Sequence, residues 1–169
     1  PSGASLQTAA LGVFLDPNYE GDGLKIQEII KRGPFAVKKN EVTPGSIIEK
    51  IDGTDIKAGE DYNALLDGKA GKNVRLTIKN AKGKRFDLTI KAISQGAQQE
   101  LLYKRWVDRN RAIVDSVSGG RIAYVHVKAM NSESFRTVYS ELLSDKNRNR
   151  DAVIVDERHN GGGWLHDDL

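Results

Sequence analysis

The N-terminal half of the chain alternates hydrophobic and polar residues in short runs. The alternation is most regular over residues 74–78 and 86–90, on either side of an Ala81-Lys82-Gly83 turn, and it predicts a β-hairpin. Other short apolar runs predict strands at residues 11–15, 24–30 and 46–51. Turn-rich segments predict short helices at residues 34–39 and 61–66. This pattern indicates a compact antiparallel β domain.

The pattern becomes helical after Ser94. Residues 98–110 predict a helix, with Leu102 and Trp106 four residues apart on one side. Residues 121–129 predict a strand, and residues 132–144 predict an amphipathic helix with Asn131 or Ser132 as its N-cap. The apolar stripe of that helix comprises Phe135, Val138, Tyr139, Leu142 and Leu143.

Residues 152–155 form a continuous apolar run, which is typical of a strand buried on both faces. Strand, helix and strand in this order predict a βαβ unit with two parallel strands. One such unit cannot cover both faces of a parallel sheet, so we expect this region to be an incomplete α/β domain. A further helix is predicted to begin near Trp164.

The predicted fold class is therefore α+β, in three parts. Residues 1–10 form a linker, residues 11–95 form the antiparallel β domain with two short helices, and residues 96–169 form the incomplete βαβ segment.

Composition narrows the function classes. The 169 residues are 38% hydrophobic and 29% charged, as in soluble globular proteins. The net charge is +3, but the basic residues are interspersed with acidic ones, which argues against a nucleic-acid partner. No apolar run is long enough to span a membrane, and the absence of cysteine excludes disulfides and a cysteine nucleophile. Both a cytoplasmic and a periplasmic location fit this composition.

The main candidate for chemistry is the glycine loop, which we define as Gly161, Gly162 and Gly163 directly after the last apolar strand. Three glycines allow a sharp backbone turn, and their amide N–H groups can then converge on an anion or a developing oxyanion. On the residues alone, a flexible turn that binds nothing is the commoner interpretation. A phosphate loop is disfavoured because neither GxGxxG spacing nor a following Gly-Lys-Ser/Thr is present.

Three histidines are alternative candidates. His126 lies within a predicted strand, where a hydrogen-bonded structural histidine is the simplest expectation. His159 and His166 flank the glycine loop, with Asp167 and Asp168 nearby, but their spacing is not that of a tight metal site, and we predict no metal.

A second candidate site is the segment Leu11, Gly12, Val13 and Phe14. Backbone N–H groups that lead into the edge of a strand can hold a peptide carboxylate while the peptide adds to the sheet. A plain edge strand fits these residues equally well.

Several stretches together resemble one family. Residues 31–56, KRGPFAVKKNEVTPGSIIEKIDGTDI, resemble the PDZ segment of C-terminal-processing and tricorn peptidases. Residues 101–130, with LLYKRWVDRNR and SGGRIAYVHVKAM, resemble the tricorn segment that links the PDZ domain to the protease core. VIVDERHNGGG is similar to that family's Asp-x-Arg-x-Asn-Gly-Gly-Gly strand and loop. The resemblance extends over nearly the whole chain from Leu11.

The resemblance implies a serine peptidase, a hydrolase without a cofactor, that acts in proteolysis as a homo-oligomer. Residues 11–95 would be a PDZ domain that binds or gates peptide or unfolded protein substrates through Leu11, Gly12, Val13 and Phe14. Residues 96–169 would be a truncated N-terminal part of the protease core. In the family the His base precedes the PDZ domain, while the Ser and a supporting Glu follow the glycine loop, so all three would lie outside this chain.

The same resemblance implies that the loop Gly161, Gly162 and Gly163 supplies one backbone N–H to the oxyanion hole, with Gly163 preferred. Asp156, Arg158 and Asn160 would then brace the loop. The chain alone is expected to be inactive. Two alternatives remain open: a non-catalytic PDZ adaptor, and a nucleotide-binding βαβ protein that uses the glycine loop for phosphate.

Overall fold

A computed structural model describes residues 7–36 and 41–164. The chain divides into two compact units, residues 1–103 and 104–169. The predicted linker over residues 1–10 falls mostly outside the described residues, although Thr8 and Ala10 already pair with Asp67 and Ile93.

The first unit contains an antiparallel β-sheet. Its strands are β1 (Val13–Leu15), β2 (Leu24–Ile29), β3 (Ile47–Ile51), β4 (Thr54–Asp55), β5 (Asn73–Lys79) and β6 (Arg85–Lys91). The strand order is β1-β2-β3-β5-β6, and β4 pairs with β3. A 3-10 helix, Tyr62–Leu66, takes the place of the predicted second short helix. The predicted helix over residues 34–39 lies partly outside the described residues, and residues 33–36 form a turn.

The predicted hairpin is confirmed as β5 and β6, with Leu76 opposite Leu88. Alternate side chains of β5 are buried, which is why the period-2 pattern was readable in the sequence. The turn depends on Asn80, whose side chain accepts hydrogen bonds from the N–H groups of Lys82 and Lys84 at 3.0 and 2.9 Å. Gly83, at φ +85°, completes the turn in a backbone conformation that favours glycine.

One hydrophobic core fills the first unit. Its largest fully buried side chains come from β2, β3, β5 and the turn after β2: Phe35, Ile26, Ile48, Ile51, Leu76 and Ile78. Burial of these apolar side chains is the main source of the unit's stability.

The helix predicted at residues 98–110 is part of a longer helix, α1 (Gln95–Ser118), which extends beyond that range at both ends. It stops at two glycines. Gly119 has φ +60°, and the N–H of Gly120 donates to Asp115 O at 2.8 Å, which is the hydrogen bond of a Schellman C-terminus. Gly119 and Gly120 thus form the turn that follows α1.

The second unit continues with β7 (Ile122–His126), α2 (Ser132–Leu142) and β8 (Ala152–Asp156). β7 and β8 are parallel, with Ile122 opposite Ala152, so the βαβ unit is confirmed. Asn131 is the N-cap of α2, and its side chain accepts a hydrogen bond from Ser134 N at 2.9 Å. The α+β fold class predicted from the sequence is therefore correct.

The prediction that residues 152–155 are buried on both faces is wrong for the part of the chain that the structure describes. Val153, Ile154 and Val155 remain 43–47% exposed. In contrast, Ala123, Tyr124 and Val125 of β7 are buried. The difference arises because β8 is at the edge of a two-stranded sheet within the described residues, so its apolar side chains have few neighbours. The helix predicted near Trp164 lies outside the described residues.

Candidate functional site

The glycine loop follows β8, and its approach is fixed by Asp156, the last residue of that strand. Asp156 is 7% exposed, and its carboxylate accepts a hydrogen bond from Tyr124 OH at 2.7 Å. Arg158 donates to it from the backbone at 2.9 Å and from the guanidinium at 2.5–3.0 Å. Asp156, Arg158 and Tyr124 therefore form a hydrogen-bonded cluster at the entrance to the loop.

This cluster sets the charge state of its members. Hydrogen bonds from Arg158 and then Tyr124 hold the pKa of Asp156 well below its usual value, against the effect of burial. Burial, followed by the hydrogen bond to Asp156, raises the pKa of Tyr124. At neutral pH, Asp156 is therefore ionised and paired with a cation.

Asn160 holds the loop itself. Its side-chain Nδ2 donates to Val127 O, just beyond β7, at 2.9 Å. Its Oδ1 accepts the hydrogen bond of Gly162 N at 2.7 Å. One carboxamide thus ties the glycine loop to the end of the neighbouring strand, and the N–H of Gly162 is already engaged.

Gly163 lies directly against Met130. Met130 N donates to Gly162 O at 3.0 Å, and Met130 and Gly163 form an isolated parallel bridge. Gly163 has φ +147°, and a Cβ on it would be 2.1 Å from the carbonyl oxygen of Met130. Only glycine fits this position. A Cβ on Gly161 would meet nothing within 4 Å.

An aromatic and imidazole cluster lies beside the loop. The rings of Trp106 and His126 are edge to face with centroids 4.8 Å apart, and the ring of His159 is 5.8 Å from Trp106. His126 is buried and its Nε2 is 2.7 Å from Arg158 O, which matches the expected structural role. His166 lies outside the described residues, and within those described, no three His, Cys, Asp or Glu side chains form a metal-binding group.

Sequence reasoning did not single out Tyr124, Asn110 or Met130. Asn110 Nδ2 donates to Tyr124 OH at 3.3 Å, and Tyr124 in turn donates to Asp156. The spacing of residues in the sequence could have indicated Asn110 and Tyr124. Trp106 and Asn110 are four residues apart on α1. Tyr124 and His126 are two residues apart on β7. Each spacing places its two residues on one face of its element. Met130 carries no such signal, since its hydrogen bond to the loop is made by the backbone.

The other candidate segment forms one side of a groove in the first unit. Gly12 has φ +71°, and a Cβ on it would be 2.5 Å from Pro34 Cδ. Leu11, Val13 and Leu15 line the groove, opposite the 3-10 helix. The remaining lining residues are Ala9, Ala10, Tyr62, Asn63, Leu66, Gln95 and Gln98. Gly12 and Phe14 are not among the lining residues, and Phe14 alternates to the other face of β1.

Two segments of the chain match known families. Residues 18–95 match the family described as "Tricorn protease PDZ domain", and residues 121–169 match "Peptidase family S41". Both matches confirm the resemblance found in the sequence. Within the described residues, no helix is long and apolar enough to cross a membrane.

The matched proteins are much longer than this chain. The chain is 26% identical to a tricorn protease of Thermoplasma volcanium over 90% of its own length and 14% of that protein. It is 31% identical to a tricorn protease homolog of Saccharolobus solfataricus over 87% of its length and 13% of that protein. A crystal structure of the tricorn protease matches 94% of this chain and 16% of that one, with a TM-score of 0.76 at 24% identity. The chain spans about one seventh of the first of these relatives.

Proposed function

We propose that this chain, which joins a tricorn-type PDZ domain to a segment of peptidase family S41, is part of a serine peptidase that hydrolyses peptide bonds. The PDZ domain binds or gates the peptide substrate, and the glycine loop contributes to the oxyanion hole. The nucleophilic serine and its histidine base lie outside this chain. The proposed domain limits are residues 11–95 and 96–169.

The observation that carries the proposal is the way in which the glycine loop is held. When a nucleophile attacks a peptide carbonyl, negative charge develops on the carbonyl oxygen, and pre-positioned N–H groups stabilise it. Asn160 and Met130 fix the loop backbone from two sides, so its N–H groups need little rearrangement during the reaction. Asn160 engages the N–H of Gly162, which leaves those of Gly161 and Gly163. We assign the oxyanion N–H to Gly163, because the family resemblance prefers it and because this residue packs directly against Met130.

The pairing of Asp156 with Arg158 serves the same chemistry. An uncompensated carboxylate a few residues from a developing oxyanion would raise the energy of the transition state. The guanidinium of Arg158 compensates that charge while both residues shape the entrance to the loop. Asp156, Arg158 and Asn160 therefore act as positioning residues, not as reacting groups.

The test uses the full-length gene product and a fluorogenic peptide. Gly163→Ala should lower kcat by about 100-fold or more with a smaller change in KM, since the added methyl collides with Met130 O and displaces the oxyanion N–H. Gly161→Ala, where the methyl meets no atom, should lose less than about tenfold. Equal activity in both variants would contradict the assignment.

A simpler measurement separates the peptidase from the adaptor alternative. The chain of 169 residues, purified alone, should not turn over peptides, because loss of nucleophile and base removes most of the rate enhancement. The full-length product should do so and should be inactivated by a serine-directed covalent inhibitor. An inactive full-length product that still binds peptides would favour a non-catalytic adaptor.

A further inference from the structure

We infer that the groove beside β1 receives an internal, extended segment of a polypeptide and not a free C-terminus, because the side chain of Gln98 occupies the backbone N–H that a terminal carboxylate would need. The inference rests on the proposed peptide-binding function of the first unit. It concerns the chemical class of the ligand, which that proposal leaves open.

The backbone N–H groups that lead into β1 are largely engaged within the unit. Ala9 N donates to Leu66 O at 2.9 Å, and Ala10 N donates to Ile93 O at 2.7 Å. Gly12 N donates to the side-chain Oε1 of Gln98 at 3.0 Å. A carboxylate bound at this end of the groove would have to displace the Gln98 side chain, since it would use the same donor as Oε1.

The Gln98 side chain is well placed to hold this position. It projects from the first turns of α1, and Gln98 N is itself fixed by a hydrogen bond to Ser94 O at 3.0 Å. A helix N-terminus attracts anions when its N–H groups are open. Here Ser94 Oγ already accepts the hydrogen bond of Ala97 N at 3.1 Å, so part of that attraction is satisfied internally.

The charge of the groove also disfavours a carboxylate. Among the residues that the structure describes, every one that lines the groove is uncharged. Two acidic residues are adjacent in sequence to lining residues: Asp61 caps the 3-10 helix, and Asp67 accepts a hydrogen bond from Thr8. Moving a carboxylate out of water without a cation to receive it is strongly unfavourable.

The edge of β1 still offers what an internal segment requires. Gly12 O accepts from Ile30 N, and Val13 is the next residue in register, opposite Ile29. In an antiparallel ladder the hydrogen-bonding direction alternates, so the N–H and C=O of Val13 face away from β2, towards the groove. A peptide can therefore add as a strand through backbone hydrogen bonds, with apolar side chains at every second position packing on Val13, Leu15 and Leu66.

The experiment compares two peptides of identical sequence with the 169-residue chain. Both carry an N-terminal fluorophore and alternate valine with serine; one ends in a free carboxylate and the other in an amide. Fluorescence anisotropy should give Kd values within about twofold of each other. A carboxylate peptide that binds tenfold tighter or more would overturn the inference while leaving the peptide-binding proposal intact.

Variants of Gln98 sharpen the comparison. Gln98→Ala exposes Gly12 N and should tighten binding of the carboxylate peptide several-fold relative to the amide peptide. Gln98→Leu keeps the side-chain bulk without the acceptor and serves if the alanine variant folds poorly. Gln99→Ala is the matched control, since Gln99 is the next residue on the same helix and is exposed. A Gln98→Leu or Gln98→Ala protein with native circular dichroism and no carboxylate preference would contradict the role of Gln98.

If neither peptide binds the wild-type chain at millimolar concentration, both the inference and the peptide-binding part of the proposed function are overturned. Peptidase activity of the full-length product would be untouched by that result.

Discussion

The two units of the chain differ in how completely they bury their apolar strands. In the first unit, β5 hides every second side chain in a core that also receives β2 and β3, so Leu76 and Ile78 are fully buried. In the second unit, β7 is buried but its parallel partner β8 exposes three consecutive apolar residues. The same residue types thus contribute very differently to stability, and the number of neighbours decides by how much.

The largest effect is expected from truncating the first core. Leu76→Ala should lower the free energy of unfolding of the first unit by about 2–5 kcal/mol, because it removes buried methyl groups and leaves a cavity. Urea denaturation followed by far-UV circular dichroism measures the change. A loss below about 1 kcal/mol would mean that this core is loosely packed.

A smaller effect is expected at the entrance to the glycine loop. Asp156→Asn should destabilise the second unit by about 2 kcal/mol, since it removes the ionic partner of Arg158 and weakens the acceptor of Tyr124. Both tryptophans, Trp106 and Trp164, lie in the second unit, so their fluorescence reports its unfolding. Unchanged fluorescence midpoints would show that the cluster adds no net stability.

The same carboxylate predicts a pH dependence of defined sign. Its pKa is lowered in the folded state, so its contribution is fully present above the unfolded pKa of about 4 and is lost as pH falls from there towards the lowered folded value. Wild-type and Asp156→Asn proteins should therefore converge in stability of the second unit as the solution is acidified. Parallel curves down to low pH would exclude this linkage.

The N-cap of α2 is expected to have a more modest effect. Asn131→Ala should cost about 1 kcal/mol, because Ser134 N loses the acceptor that it uses at 2.9 Å. Asn131→Asp retains an acceptor and is the matched control. The measurement is again the tryptophan-detected denaturation midpoint, and equal losses in both variants would point to some other role for Asn131.

The smallest effect is expected on the exposed strand. Ile154→Ala should cost less than about 1 kcal/mol, since the side chain is already 43% exposed in the folded unit. Set beside Leu76→Ala, it tests the comparison directly. A loss as large as that of Leu76→Ala would show that β8 is covered in solution by something outside the described residues.

Local patterns predicted most of the fold. The hairpin of β5 and β6 follows from strict alternation, and the βαβ unit follows from the change of period after Ser94. The hairpin depends on contacts between residues that are near in sequence. The βαβ unit depends on apolar residues that recur on one face of an element. The burial of β8 was predicted incorrectly. An apolar run indicates that a strand can be buried, but it does not indicate whether neighbouring elements are present to cover it.

The candidate site was only partly readable for a similar reason. The glycines and the Asp156, Arg158 and Asn160 spacing are local, so the loop could be located from sequence. The hydrogen bond from Asn160 to Val127 O spans 33 residues, and that from Gly12 N to Gln98 spans 86. Such contacts depend on the tertiary fold. Whether Gly163 serves as the oxyanion donor stays a prediction that the loop variants test.

The two hydrogen bonds made by the Asn160 side chain have a consequence for amide hydrogen exchange. Gly162 lies in an exposed loop without regular secondary structure, yet its N–H is bonded to a side chain that is itself fastened to Val127. Its deuterium uptake should therefore be slow for an exposed loop and should report on the opening of the Asn160 hydrogen bonds. The exchange rate of this one amide proton therefore measures how often the loop opens.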